Sequence, residues 1–395
     1  MVLKKYDMGL ISVTAMGIGS VGVAGIFALL GEVILQAGNL SYYSFIIAGI
    51  AAMFSGYSYA KLSGKYPDSG GLTDYFKIAF KSRAVSGTFT LIYYITSFVS
   101  ISMLAKSFGI YACKFLHDAA MEPVCVNYFA SGIIIALAIL NMMGADKVGN
   151  AETLMVAFKF FVLLSLIAGA FIELDVRSDK VDFMPTPTAF LGSIGITFFA
   201  YAGYGIITNT AADVKNPKFT IAAAIYLTII IVALLYTSLA YIILKYIPEA
   251  DLTANADTAI TIAAEKLFGK WGYGIMFAAA IIAFISGISA TYFSVFRISY
   301  ALAEQKIMPK IYHKRFWEHG TYGNALSVAV LTLATIYFDF NSIVNLASGA
   351  YLVSYLAVFA ASWVLRRETG ASPVLILLGS ALMVFILVMF LANIY

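Results

Sequence analysis

Lys159 has the most unusual surroundings of any residue in this chain. It lies in the segment 155–162, MVAFKFFV, with apolar neighbours on both sides. A lysine well inside a membrane helix costs about 2.5–3.5 kcal/mol to insert, so it needs a cavity or a partner. Desolvation disfavours the charged ammonium, which makes such a lysine able to exchange a proton. The residue therefore predicts a proton carrier, with a permanently charged lysine that ties helices together as the alternative.

Two glycine-containing stretches predict breaks in otherwise apolar helices. The segment 16–27, MGIGSVGVAGIF, holds four glycines among twelve residues, and a second interruption lies at 198–205, FFAYAGYG. Each Gly weakens a helix by roughly 1 kcal/mol relative to Ala. Breaks at corresponding places in two halves of a membrane protein indicate a binding site. Close helix packing through small residues is the alternative explanation for either stretch alone.

Broken helices inside a membrane offer a specific chemistry. Unpaired backbone is tolerated there only where it is buried in protein or lines a cavity. The N–H groups at a new helix N-terminus suit a carboxylate, and the carbonyl groups at the other broken end suit an ammonium. An amino acid carries both groups, so the two breaks together predict an amino acid site.

The composition shows which kind of protein must position these residues. Of 395 residues, 61% are hydrophobic and 12% are charged, which excludes a water-soluble globular protein. The basic residues lie in short loops between apolar runs, which argues against a nucleic-acid partner. Cys113, Cys125 and three histidines show neither metal-ligand spacing nor a disulfide framework, so no metal site is expected.

About eleven apolar runs are long enough to cross a bilayer as helices. They lie near 8–36, 41–63, 84–113, 124–143, 152–172, 188–211, 219–246, 270–303, 322–338, 342–365 and 372–394. The polar stretches between them, the longest at 61–83 and 247–270, have the size of loops. We therefore predict an all-α integral membrane protein with one transmembrane domain, 1–395. It would contain two five-helix repeats, near 8–173 and 188–365, and an extra helix at 372–394.

The distribution of Lys and Arg predicts the orientation in the membrane. Most of the 25 basic residues fall in loops on the side of the N-terminus, which indicates a cytoplasmic N-terminus in a multi-pass protein of the cell membrane. The first run is too long and too rich in glycine for a cleavable signal, so we expect it to remain. Lys106 is predicted near the outer interface, with its ammonium extended to the headgroups.

An ordered set of motifs resembles a known family. These motifs are GIF at 25–27, Pro67 with Gly70, Gly71 and Tyr75, FFAY at 198–201 with Gly203 and Tyr204, and DVKNPK at 213–218. In these residues the chain resembles the amino acid, polyamine and organocation (APC) superfamily, and it looks like the archaeal proton-coupled amino acid transporters. It departs from the family where Val23 and Ala24 replace Gly and Ser and where 222–224 reads AAA. We also count eleven predicted helices where many relatives have twelve.

The resemblance implies a LeuT-like fold, in which the two repeats are inverted and helices 1 and 6 are discontinuous. It also implies the groups that meet the substrate carboxylate, the substrate amine and the pocket walls. These are Val23, Ala24, Gly25 and Ile26 for the carboxylate, and Phe199, Ala200, Tyr201, Ala202, Gly203 and Tyr204 for the amine and the walls.

The proton-coupling group is implied in the same way. The spacing from Glu152 to Lys159 matches the proton-coupled relatives, in which the ammonium resembles a substitute for the sodium ion of sodium-coupled ones. Lys159 would then face the Gly19 carbonyl and the Ser286 hydroxyl. No cofactor and no sodium are expected, since the proton would be the coupling ion.

The predicted function is secondary active transport: proton-coupled symport of amino acids with broad, mainly neutral specificity. The substrate and the lipid bilayer are the expected partners, and the oligomeric state is left open. An exchanger of amines or cationic amino acids is the alternative within transport. An ion channel would need polar rings or a carbonyl filter, and an enzyme would need a nucleophile–base or metal cluster; the sequence shows neither.

Overall fold

A computed structural model describes residues 8–21, 23–67, 71–116, 123–143, 148–172, 183–317 and 320–394, with side chains omitted for 23 and 148–153. The described chain is almost entirely helical. Its helices are α1 Leu10–Ser20, α2 Val23–Ala37, α3 Ser41–Lys65, α4 Leu72–Phe80, α5 Arg83–Leu116, α6 Pro123–Met142, α7 Val148–Ile172, α8 Pro187–Tyr201, α9 Pro217–Tyr246, α10 Glu249–Ala254, α11 Ala259–Glu304, α12 Tyr322–Tyr337, α13 Phe340–Val364, α14 Arg366–Thr369 and α15 Pro373–Ile394.

The membrane prediction is confirmed. Nine helical stretches in the described part of the chain are long and apolar enough to cross a membrane, and α1 and α12 are shorter apolar helices. One of the nine stretches joins α2 to α3 through a 3₁₀ turn at Gly38–Leu40. With α1 and α2 taken as one interrupted span, these elements correspond to the eleven predicted runs. The division into two repeats stays a prediction.

Two predicted loops contain helices instead. The stretch 61–83 includes the amphipathic α4, and 247–270 includes α10 and the first part of α11. Within α11, Gly269 adopts φ 65° and ψ −157° and divides it into two helical parts. The length criterion for a membrane span misses such helices because they are much shorter than the about 20 residues that a span requires.

Local sequence explains where several helices begin. Pro187 and Pro217 stand in the first turns of α8 and α9, where the missing N–H costs nothing. The side chains of Thr186, Thr321 and Asp339 accept hydrogen bonds from the first turns of α8, α12 and α13. These caps satisfy N–H groups that have no partner within the helix.

The core surrounds the two interrupted spans. α3 packs on α8 and α9, α2 packs on α8 and α11, and α5 packs on α11 and α13. α15 covers α8 and α13 and exposes Val374, Leu377 and Val388, as a lipid-facing helix does. We call the side that carries Lys65 and Arg83 the N-terminal face, and the side that carries Leu40 and Leu116 the opposite face.

Candidate functional site

The two interrupted spans break next to each other. α1 ends at Ser20 and α2 begins at Val23, while α8 ends at Tyr201 and is followed by a 3₁₀ helix, Tyr204–Asp213. Gly203 has φ 123°, and a Cβ there would lie 2.2 Å from the Ser20 carbonyl oxygen. The Ser20 hydroxyl also donates to the Gly203 carbonyl at 3.3 Å. The broken ends therefore meet backbone to backbone, and the contact requires glycine.

This contact places a helix N-terminus beside a helix C-terminus. The first turn of α2 carries backbone N–H groups that lack partners inside the helix, and the last turn of α8 carries carbonyl groups. Ala24 and Ile26 are buried, and a Cβ at Gly25 would lie 3.6 Å from the Ala200 Cα. The carbonyl of Phe199 accepts the Ala202 N–H at 2.9 Å. A donor end and an acceptor end thus approach each other at Gly25 and Ala200.

Tyr236 on α9 is a central residue that the sequence does not reveal. Its buried hydroxyl lies 3.2 Å from the Val21 carbonyl and 3.3 Å from the Ala200 carbonyl. A hydroxyl has one proton to donate, so it can satisfy only one of the two acceptors at a time. Tyr236 therefore ties the two breaks together, although it stands in an apolar run without a motif.

The two predicted tyrosines lie in different places. The Tyr201 hydroxyl donates to the Phe45 carbonyl at 2.8 Å, so this side chain joins α8 to α3. The Tyr204 hydroxyl is hydrogen-bonded to Ser55 on α3. Tyr204 thus lies on the N-terminal side of the break, whereas Tyr201 serves the packing between helices.

Tyr204 belongs to a buried aromatic cluster on the N-terminal side of the breaks. Its ring centroid lies 5.9 Å from that of Tyr59 and 5.5 Å from that of Tyr355. Tyr355 also contacts Phe198 at 5.1 Å, and its hydroxyl accepts the Gly203 N–H at 3.4 Å. Rings from four elements therefore pack together between the break in α8 and the N-terminal face.

Apolar side chains cover the opposite side of the breaks. The rings of Phe27 and Phe284 are 6.5 Å apart, and Tyr111 contacts Phe284 at 5.3 Å. Gly287 on α11 lies so close to Ala24 that its Cβ would be 3.3 Å from the Ala24 Cβ. These side chains are uncharged, which suits a substrate without a charged side chain.

Lys159 points into the protein beside this site. It is 1% exposed, whereas its neighbour Phe158 is 36% exposed. Its ammonium donates to the Ser286 hydroxyl at 3.2 Å, and Ser286 directly precedes Gly287 in α11. Gly19 lies against Val156, one turn before Lys159 in α7. The structure therefore brings Lys159 and Ser286 into contact and places Gly19 near them; Gly70 and the side chains of Val23 and Glu152 lie outside the described residues.

Another family motif closes the N-terminal face. Gly71, at φ 76°, begins the segment that leads into α4, and a Cβ there would lie 1.8 Å from the Asn209 side-chain oxygen. Asn209 belongs to the 3₁₀ helix that follows the break in α8. The glycine therefore allows the loop after α3 to contact the second broken helix directly.

Two interpretations of single residues are wrong. Cys113 and Cys125 form a disulfide that joins the end of α5 to the start of α6 at the opposite face, a pairing created by the hairpin fold and invisible in a separation of 12 residues. Lys106 does not extend to the headgroups: it is buried and donates to the Asn127 side-chain oxygen at 2.6 Å. Asn127 in turn donates to the Ile336 carbonyl at 3.3 Å, so this lysine has a partner within the protein.

Comparison with known proteins confirms the predicted relation to the APC superfamily over nearly the whole chain. The amino acid permease family matches residues 8–395. The inner membrane transport protein YbaT of Escherichia coli is 36% identical over 98% of this chain and 90% of its own length. The uncharacterized protein MJ0609 of Methanocaldococcus jannaschii is 26% identical over 94% of this chain and 85% of its own length. The branched-chain amino acid permease BcaP of Bacillus subtilis is 23% identical over 80% of this chain and 71% of its own length. The chain is a multi-pass membrane protein and an amino acid transporter that belongs to the amino acid permease family of the APC superfamily.

Proposed function

We propose that this transporter is a proton-coupled symporter of amino acids with broad, mainly neutral specificity. The observation that carries the proposal is the buried contact between Lys159 and Ser286, because Ser286 stands on α11, whose Gly287 packs on Ala24. A proton bound there is close enough to the broken helices to affect how they are held.

The substrate would bind through its backbone groups. Its carboxylate meets the N–H groups at the start of α2, from Val23 to Ile26, because that end of the helix carries partial positive charge. Its ammonium meets the carbonyl groups of Ala200 and Ala202. Since one Tyr236 proton serves two carbonyls, an ammonium with three N–H groups supplies the missing donor.

Side-chain selectivity would then come from the walls of the site. Phe27, Phe284 and Phe199 are buried apolar residues around the broken backbone. A charged substrate side chain next to these rings would lose its hydration without a partner, at a cost of several kcal/mol. Neutral amino acids avoid that cost, which supports the predicted specificity.

Lys159 would couple transport to the proton through its contact with Ser286. In the charged form the ammonium donates to the Ser286 hydroxyl and holds α7 against α11. Loss of the proton removes positive charge from this buried position and weakens the contact, since a charged donor forms the stronger hydrogen bond. The proton and the conformation of the neighbouring helices would thereby be linked.

We further propose that the N-terminal face is cytoplasmic. The loops of that face hold most of the basic residues, as the positive-inside rule requires. The Cys113–Cys125 disulfide lies at the opposite face, and disulfides persist in oxidising compartments outside the cytoplasm. Two independent features thus support the same orientation.

Uptake into proteoliposomes under an imposed proton gradient tests the coupling. A gradient of about two pH units supplies about 2.7 kcal/mol per proton, enough for about hundredfold accumulation at one proton per substrate. The parent protein should accumulate alanine without sodium, whereas Lys159→Met, which keeps the volume of the side chain, should only equilibrate it. Lys106→Met is the matched control, because it removes another buried ammonium away from the breaks.

Three results would count against the proposal. The first is Lys159→Met accumulating alanine as steeply with the gradient as the parent does. The second is a requirement for sodium. The third is uptake that appears only when amino acid is preloaded inside, which is the behaviour of an exchanger.

A further inference from the structure

A loop on the N-terminal face combines exposed basic and aromatic side chains. It covers residues 305–317, between α11 and α12, and we call it the basic–aromatic loop. Ile311, Phe316 and Trp317 are 37%, 37% and 41% exposed. Its exposed basic residues are Lys306, Lys310, Lys314 and Arg315. In the sequence Glu304 precedes the loop and Glu318 follows it, so the four basic residues still outnumber the flanking acidic ones.

Contacts within the loop hold these side chains in place. The Arg315 guanidinium lies 4.9 Å from the centre of the Tyr300 ring. The Phe316 N–H donates to the Gly320 carbonyl at 3.0 Å, and the Phe316 ring lies 5.1 Å from the ring of Tyr322. The basic and aromatic side chains therefore stand on a turn that hydrogen bonds and ring contacts hold in one conformation.

The loop is also attached to the helices beneath it. The Tyr312 hydroxyl is hydrogen-bonded to Ser327 on α12 at 2.6 Å, and Ser327 is bonded to Tyr94 on α5 at 2.9 Å. Ile307 fills the space at Gly87, where a Cβ would lie 2.3 Å from its side chain. Anything that binds the loop would therefore bind a surface fixed to α5, α11 and α12.

The position of the loop relative to the membrane follows from the helices that it joins. α11 ends at Glu304 and α12 begins at Tyr322, and both are apolar helices. The loop joins these two spans on the N-terminal face, so we place it at the membrane surface on that side. Aromatic side chains favour this depth, and each Lys or Arg attracts anionic lipid there.

Arg297 adds a further exposed cation close to the loop. It is exposed on α11, two turns before Glu304, and its guanidinium lies 3.9 Å from the centre of the Phe293 ring, which is 52% exposed. Two turns of helix are about 11 Å, so this cation lies on the hydrocarbon side of the loop. On an exposed face of α11 beside an exposed ring, this guanidinium is placed where a lipid phosphate could pair with it.

We propose that the basic–aromatic loop is a binding surface for anionic phospholipids of the leaflet at the N-terminal face. Lys310, Lys314 and Arg315 contact the headgroup phosphates, and Phe316 and Trp317 enter the boundary of the acyl chains. The bound lipid holds α11 and α12 at a fixed depth in the membrane, so that the broken helices packed on α11 move relative to a fixed helix. This proposal does not depend on which substrate or ion is transported.

Trp317 provides a direct readout. The chain has three Trp residues, so Trp271→Phe with Trp363→Phe leaves Trp317 as the fluorophore. The protein is reconstituted in phosphatidylcholine vesicles that contain a minor fraction of lipid brominated on its acyl chains, either phosphatidylglycerol or phosphatidylcholine. We expect brominated phosphatidylglycerol to quench Trp317 more strongly, with about fivefold enrichment of that lipid for each contributing cation.

The matched variants compare equal losses of charge on one face. Lys310→Gln, Lys314→Gln and Arg315→Gln together should lower the preference for phosphatidylglycerol by about fivefold for each cation removed. Lys65→Gln, Lys81→Gln and Arg83→Gln, which remove the same charge elsewhere on the N-terminal face, should leave it intact.

Three outcomes overturn the proposal. One is equal quenching by the two brominated lipids in the Trp317-only protein, which needs no further variant to interpret. Another is a preference that the loop substitutions leave at its parent value. The last is a preference lost equally in the control set, which would show that only the total charge of the face matters.

Discussion

Gly203→Ala is the most direct test of the contact between the broken helices. At φ 123° an alanine is strained, and strain of this kind costs about 1–3 kcal/mol. The added Cβ would also lie 2.2 Å from the Ser20 carbonyl oxygen, and relieving such overpacking costs about 1–3 kcal/mol more. The expected total is about 2–6 kcal/mol, a large share of the 5–15 kcal/mol by which a typical protein is stable.

Two measurements separate the effect on the site from the effect on the fold. Thermal unfolding of the purified protein should show a clearly lower midpoint for Gly203→Ala. The upward shift of the midpoint on adding an amino acid, which reports binding to the folded state, should disappear. Gly132→Ala is the matched control, because nothing lies within 4 Å of its added Cβ and Ala favours an α6 helix by up to about 1 kcal/mol.

The result that would refute the reasoning is equally clear. If Gly203→Ala unfolds at the midpoint of the parent and is still stabilised by the same amino acids, the close contact between the breaks is not part of the binding site. The site would then have to be sought elsewhere.

Further predictions concern the site and one helix cap. Gly25→Ala should keep the parent stability, because its Cβ would lie at an ordinary contact distance from α8. It should nevertheless weaken amino acid binding in the same thermal assay, since the methyl group occupies the space between the breaks. Tyr236→Phe should lower the free energy of unfolding by about 1–3 kcal/mol by removing a donor from buried carbonyl groups, whereas exposed Tyr241→Phe should change little. Asp339→Ala should cost about 1 kcal/mol through loss of a cap. Hydrogen bonds from Ser342 hold the pKa of the Asp339 carboxyl below its ordinary value, so this loss should be complete above the ordinary carboxyl pKa and vanish as the pH falls through the lowered one in a pH series.

The sequence predicts the spans well because lipid imposes a simple rule. Each run must satisfy its backbone within a helix and present apolar side chains, so length and hydropathy identify it. The break at Gly203 is also predictable, because glycine weakens a helix wherever it stands. α4 and α10 were missed because short helices at a membrane surface follow no length rule.

The parts of the site that the sequence missed depend on distant contacts. Tyr236 and Tyr355 stand in apolar helices with ordinary composition, and their roles arise only because α9 and α13 pack against the two breaks. Two lysines in apolar runs, Lys106 and Lys159, show which buried contacts the sequence can and cannot predict. The family resemblance predicts that Lys159 meets Ser286, whereas only the packing reveals that Lys106 meets Asn127.

Closure on both sides of the breaks supports a carrier over a channel. Toward the N-terminal face, the rings of Tyr59, Tyr204 and Tyr355 contact one another. Toward the opposite face, Phe27 and Phe284 pack together. A conducting channel needs a continuous polar path through the membrane, whereas a carrier opens one face at a time around a fixed site. Because the closing rings on the N-terminal side stand on α3, α13 and the 3₁₀ helix after α8, opening that face requires these elements to separate. The 3₁₀ helix is suited to move, since runs of 3₁₀ helix beyond three or four residues are uncommon and often mark hinges.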